Sequence, residues 1–199
     1  MTKQQIGVPP HPRPWPEGNH YDPELLAGGD RRNVEDKYRY WTVEAIKTDL
    51  AKTRHDVHVA IENWQHDMNL GTIVRNANAF NAAAVHIIGR RQWNKRGAMV
   101  TDRYLDVFHH ATVEEFVQVM GNRRIIAIDN QPGATMLNET GLPQHSVLVF
   151  GGEGPGLSQK MIGASQTMIA IPQFGSTRSV NVGVASGILL YEWARRNVL

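Results

Sequence analysis

Short apolar runs recur along the chain, and the stretches between several of them carry apolar residues at helical spacing. Residues 85–89 read Val-His-Ile-Ile-Gly, 124–129 Arg-Ile-Ile-Ala-Ile-Asp, 146–150 Ser-Val-Leu-Val-Phe and 168–172 Met-Ile-Ala-Ile-Pro. Runs of this length predict strands. Several are apolar throughout, which predicts burial on both faces by helices and a mostly parallel sheet. Residues 57–61 alternate like a strand. Leu70, Ile73, Val74, Ala77 and Phe80 then repeat at helical spacing, with Asn69 placed to cap. Thr112 predicts the start of a helix running to Gly121, with Glu114 and Glu115 in its first turn, where negative charge suits the dipole. A short helix follows Ser158, and an apolar helix runs from Asn181 to Arg196. The fold class is α/β, a mostly parallel sheet flanked by helices.

Residues 1–54 have a different pattern. Up to about residue 33 they are rich in proline and glycine and poor in aliphatic residues, which predicts an arm that buries little. Asn33 is expected to cap a helix over 33–54. The expected division is therefore an N-terminal extension, 1–54, and an α/β domain, 55–199. Arg31, Arg32, Lys37 and Arg39 make the end of the arm basic, either as a solvated tail or as a grip on RNA.

Composition adds bounds. The 199 residues carry a formal net charge of +2 and no cysteine. Disulfides and thiolate metal sites are excluded, and neither a membrane span nor an apolar signal core is expected. These features fit the cytoplasm. With so little net charge, affinity for nucleic acid requires local clusters. One lies in the connection after residue 89, where Arg90, Arg91, Lys95, Arg96 and Arg103 alternate with Trp93 and Tyr104. It is either a solvated loop or a surface for phosphates and bases. The histidines, among them His55, His58, His109 and His110, lack the spacing of a metal site, so none is expected.

The stretch with the most chemistry is Gly151-Gly152-Glu153-Gly154-Pro155-Gly156-Leu157-Ser158, directly after a buried strand. Its glycines let backbone approach a ligand closely. The spacing is not that of a dinucleotide fingerprint, and the lysine of a P-loop is missing. Ser179 and Asn181 precede the last helix. Arg75, on the polar side of an apolar helix, has no acid at i±3 or i±4.

Three stretches together resemble the TrmH (SpoU) family of SPOUT RNA 2′-O-methyltransferases. They are Asn69-Leu70-Gly71-Thr72-Ile73-Val74-Arg75, then Val149 through Ser158, then Ile171-Pro172 followed by Ser179-Val180-Asn181-Val182-Gly183-Val184-Ala185. Order and spacing match over about residues 55–196. Val180 stands where the family pattern has leucine, Gly183 where it has serine, and Gln173 where it has methionine. The proline common before Asn69 is replaced by Asp67-Met68.

The resemblance implies a knotted C-terminal segment, an obligate homodimer and methyl transfer from S-adenosylmethionine to an RNA ribose 2′-hydroxyl, without metal. It places the cofactor at Gly151, Gly152, Glu153, Gly156, Ile171 and Val180. It gives catalytic roles to Arg75, Ser179, Asn181 and Glu153. RNA contacts are expected at Asn69, Arg75, Arg90, Arg91, Lys95 and Arg96. A free guanidinium stays protonated, so Arg75 is read as a positive clamp on phosphate and developing alkoxide, with base behaviour open. Other readings are a non-catalytic RNA-binding protein of the same fold and a nucleotide-dependent oxidoreductase, the latter disfavoured by the glycine spacing.

Overall fold

A computed structural model describes residues 7–65, 68–152 and 156–199. The chain divides into two units, at Arg54 and His55.

In the first unit, helix α1 (Pro23–Gly28) is capped by Asp22 and α2 (Val43–Ala51) by Thr42. This corrects the expected helix over 33–54. Asn33 caps nothing there; Asp36–Tyr38 form only a 3-10 turn. The reason is Asp30. Its fully buried carboxylate accepts two bonds from the Arg32 side chain, at 2.9 and 2.7 Å, and one from the Tyr40 N–H, at 3.0 Å. That arrangement holds 30–40 in a loop, with Tyr40 at φ 63°. Burial opposes ionisation of Asp30, but the bonds from Arg32 and Tyr40 outweigh it and hold its pKa at about 2. The unit also buries Leu26, Tyr38 and Ile46, more than the composition of the arm led us to expect.

Among its described residues the second unit is one sheet of seven strands, β1 (His55–Asn63), β2 (Ala82–Gly89), β3 (Asp106–His110), β4 (Arg124–Ile128), β5 (Thr135–Met136), β6 (Ser146–Phe150) and β7 (Thr167–Ala170). Their order is β3-β2-β1-β6-β4-β7-β5, and every pairing is parallel. Side chains alternate between two cores. Leu148 and Phe150 join Ile61, Ile73, Leu189 and Trp193 on the side of α3 (Leu70–Ala79) and α6 (Val182–Asn197). Val147 and Val149 join Phe116, Met120 and Met161 on the side of α4 (Val113–Met120) and α5 (Gln159–Ala164). The strand expected over 57–61 is β1, and because it is central in the sheet every residue from Val59 to Asn63 is buried.

Strand β3 and the two-residue β5 are not among the strands that the apolar runs predict. Asp-Val-Phe-His-His has no apolar periodicity, and β3 exists because its backbone pairs with β2. There it completes a stack of imidazoles. His58 Nδ1 lies 2.9 Å from His86 Nε2, and His86 Nδ1 lies 2.9 Å from His110 Nε2. Burial is the first cause that depresses all three pKa values, His86 to about 3 and His58 to about 4. The unfolded chain, titrating near 6.5, therefore takes up protons that the folded chain refuses. The resulting stability is complete above about pH 7 and is lost as pH falls towards 4. His86 alone is expected to remove about 2 kcal/mol by pH 5. Urea melts at pH 7.5 and 5 measure this, and equal midpoints would contradict the neutral stack.

Candidate active site

Strands β4, β6 and β7 end at the same level, with Ile128 paired to both Phe150 and Ile169. A cavity of about 700 Å³ opens at these carboxyl ends, within the range of small-molecule sites and where open α/β sheets bind ligands. Its apolar part is Ile128, Phe150, Ile169 and Ala185; its rim carries Asp129, Asn130, Gln131, Gln173 and Arg178. Among the residues expected at the cofactor, Gly151, Gly152, Gly156, Ile171 and Val180 all line this cavity, as do Ser179 and Asn181. Glu153 lies outside the described residues.

The glycines are required by close packing of backbone. A Cβ on Gly151 would stand 2.3 Å from the carbonyl carbon of Gly156 and 2.5 Å from the nitrogen of Leu157. Gly156 has φ +67°, a conformation that side chains rarely adopt, and its N–H donates to the Gly152 carbonyl at 3.2 Å.

Two carboxylates that sequence reasoning missed hold this loop. Asp129 accepts from the Leu157 N–H at 3.2 Å and from Gln131 at 2.9 Å. Glu62, fully buried, accepts from the Ser158 N–H at 2.6 Å, the Ser158 hydroxyl at 2.7 Å and the Trp64 indole at 3.0 Å. Beside it, Asn63 donates to the carbonyls of Arg90 and Gln92, at 2.7 and 3.0 Å. The end of β1 thus fixes both the glycine loop and the root of the basic connection. A polar pair closing an apolar strand was the only sign of this in the sequence.

Asn69 stands at the N-cap of α3, just before Leu70, but its side chain makes no capping bond there. It accepts instead from Asn181 Nδ2 at 3.0 Å, while Asn181 Oδ1 caps α6 by accepting from the Val184 N–H at 3.2 Å. The first and third motifs are therefore joined directly. Asn76 strengthens the junction by donating to the Gly183 carbonyl and to Ser186 Oγ, each at 2.9 Å. Gly183 fits because a Cβ there would stand 2.9 Å from the Thr72 methyl, so the serine of the family pattern would crowd α3.

The remaining expected residues lie elsewhere. Arg75 is exposed on α3 and does not line the cavity of its own chain. Arg90, Arg91, Lys95 and Arg96 are exposed. Lys95 is tied to Asp102 at 2.9 Å and lies 5.4 Å from the Trp93 ring centre. The basic connection is a built structure. Two 3-10 turns, Arg96–Ala98 and Thr101–Arg103, bury Ala98 and Thr101, and Gly97 lies where a Cβ on Gly71 would come within 2.8 Å.

Residues 56–191 match the SpoU rRNA Methylase family. The chain is 26% identical over 152 residues to the tRNA (guanosine(18)-2′-O)-methyltransferase of Escherichia coli K12, a match that covers 74% of this chain and 66% of that protein. It is 32% identical over 147 residues to an uncharacterized tRNA/rRNA methyltransferase of Mycolicibacterium smegmatis, covering 69% and 46%. The chain thus spans just under two thirds of the first relative and about half of the second. Among solved structures, one described as giving structural insights into the 2-OH methylation of C/U34 on tRNA superposes with TM-score 0.64 at 25% identity, covering 71% of this chain and 96% of that one. The TrmH/SpoU tRNA modifying enzyme of A. aeolicus shares the fold, with TM-score 0.67 at 22% identity over 77% and 81% of the two chains. With a parallel sheet, a glycine-walled cavity at its carboxyl ends and a match over most of the second unit, the chain belongs to the SpoU rRNA Methylase family.

Proposed function

We propose that this protein is an S-adenosylmethionine-dependent RNA methyltransferase that acts on a ribose 2′-hydroxyl of tRNA or rRNA in the cytoplasm. The observation that carries the reading is the cavity. It has an apolar interior and a polar rim, and it is walled by backbone at Gly151, Gly152 and Gly156. Gln173 Oε1 is a buried acceptor with no hydrogen-bond partner among the described residues. It is suited to an amino group such as that of adenine. Gly151, Gly152, Gly156, Ile171 and Val180 would hold the cofactor, with Glu153 completing the loop. Bound there, S-adenosylmethionine supplies an electrophilic methyl group, so the protein's task is positioning.

The second half of the site would come from a partner subunit. Support comes from Arg75, exposed on α3 and outside its own cavity, and from α6, where Val184, Ile188 and Tyr191 are 55%, 37% and 54% exposed. Their spacing of four and three residues makes one apolar stripe on a helix already packed against α3. A homodimer through this stripe would bring Arg75 of one subunit towards the cavity of the other. Arg75 would hold RNA phosphate and stabilise negative charge on the attacking oxygen. Asn181 and Ser179 would hold the ribose, and Asn69, Arg90, Arg91, Lys95 and Arg96 would guide the RNA. We also propose that the C-terminal segment is knotted. In support, Trp193, Arg196 and Asn197 of α6 donate to carbonyls of Pro143, Leu137 and Leu142, on the connection between β5 and β6.

Two measurements test the reading. Purified protein should transfer tritiated methyl from S-adenosylmethionine to RNA of cells lacking it, with the label on ribose; absence of transfer to both tRNA and rRNA would refute the enzyme reading. Ile188→Asp should give monomers by sedimentation and lose transfer. A fully active monomer would refute the shared site.

A further inference from the structure

Phe174 is 98% exposed. It lies in the connection from β7 to α6, one residue after Gln173 and four before Arg178, both of which line the cavity. Adjacent Cα atoms are about 3.8 Å apart, so the Phe174 backbone lies beside the cavity wall at Gln173. The connection is held from outside itself, because Asn130 Nδ2 donates to the Arg178 carbonyl at 2.7 Å. Phe174 makes no ring contact among the described residues, unlike the aromatic stacks of the interior. Its side chain therefore contributes almost nothing to this chain's own packing, while occupying a position next to the proposed site of chemistry.

We propose that Phe174 is a stacking platform for a nucleobase of the RNA, the base carried by or next to the reacting ribose, with the Arg178 guanidinium as its cationic neighbour. This rests on the RNA methyltransferase reading and adds the recognition element on the substrate side. One general rule and two observations favour a base over another occupant. Single-stranded RNA is held by aromatic faces beside positive charge. Arg178 is exposed and forms no ion pair among the described residues. Ser176, Thr177 and Ser179 around it are also exposed and polar, a mixture suited to sugar and phosphate rather than to an apolar protein face. Stacking accepts any base, so the platform fixes where the nucleotide sits without reading which base it is.

Because the ring is almost fully exposed, replacing it should leave the fold and the cofactor cavity intact. Phe174→Leu keeps an apolar side chain and removes the π face. With total RNA from cells lacking the protein, it should raise KM for RNA about tenfold or more with kcat within about twofold. Phe174→Tyr should behave like the parent. Calorimetric affinity for S-adenosylmethionine and sedimentation should not change in either variant. A binding arm is independent of turnover: Phe174→Trp should show fluorescence quenching by single-stranded oligouridylate beyond that of the parent, and no added quenching by inorganic pyrophosphate. Unchanged KM in Phe174→Leu, or no added quenching, would overturn the platform. A change of sedimentation would overturn it in favour of a subunit contact. If the parent protein transfers no methyl group but Phe174→Trp is quenched, the reaction reading fails and the platform stands.

Discussion

Gly151→Val is expected to abolish S-adenosylmethionine binding, with a loss of calorimetric affinity beyond about a hundredfold, while the chain stays folded. The argument is steric. The first atom of any side chain at this position would stand 2.3 Å from the Gly156 carbonyl carbon and 2.6 Å from its oxygen. These are backbone atoms, so no rotamer change relieves the overlap, and the return leg of the loop must leave its place. That leg is held by Asp129 at the Leu157 N–H and by Glu62 at Ser158, so moving it breaks charge-assisted bonds as well. Overpacking of this kind costs about 1–3 kcal/mol of stability, within the margin of an ordinary domain. The damage therefore falls on the cavity wall rather than on the core of β6. Even Gly151→Ala places the offending atom and should weaken binding strongly. Unchanged affinity in Gly151→Val would remove the cavity from the proposal.

Arg75→Ala is expected to lower methyl transfer by about a hundredfold or more, the scale for losing a preorganised charge at a developing oxyanion, with cofactor affinity within about twofold. The second expectation follows from geometry, since Arg75 lines no part of the cavity in its own chain. Arg75→Lys should recover only part of the rate, because an ammonium lacks the planar fork that holds a phosphate in two places. The decisive experiment mixes the two inactive variants. If each site joins the cavity of one subunit to Arg75 of the other, an Arg75→Ala chain and a Gly151→Val chain form a dimer with one intact site, and remixing should restore about a quarter of parental activity. If the site lies within one chain, remixing restores nothing, and the shared site fails.

Much of this architecture was legible in the residues, and the exceptions are physical ones. Continuous apolar runs marked β2, β4, β6 and β7, and Thr112, Ser158 and Asn181 each cap the helix they precede. The glycine loop and the motif at 179–181 meet at one cavity because they follow β6 and β7, buried strands that flank β4 and end at its level. Asn69 has the position and chemistry of a cap, yet its side chain reaches Asn181, 112 residues on. A capping residue and a long-range acceptor look alike in sequence, since both are short polar side chains at a helix start. Asp30 misled in the opposite way: one buried, fully bonded carboxylate organises a segment whose composition promised little burial.

The sequence by itself determined the local elements and the chemistry available to them: where strands and helices fall, where backbone can come close to a ligand, and which cation stands without a neighbouring acid on its helix. Only the tertiary structure decided how these parts meet. It made β3 a strand by pairing it with β2, and stacked His58, His86 and His110 into a neutral row. It also set Glu62 and Asp129 behind the glycine loop and left Arg75 outside the cavity it is proposed to serve. Periodicity and capping are set by residues within one or two turns of each other and can be read along the chain. Strand pairing, burial of a carboxylate and the partner of a lone cation depend on segments far apart in sequence, and they exist only once the sheet has brought those segments together.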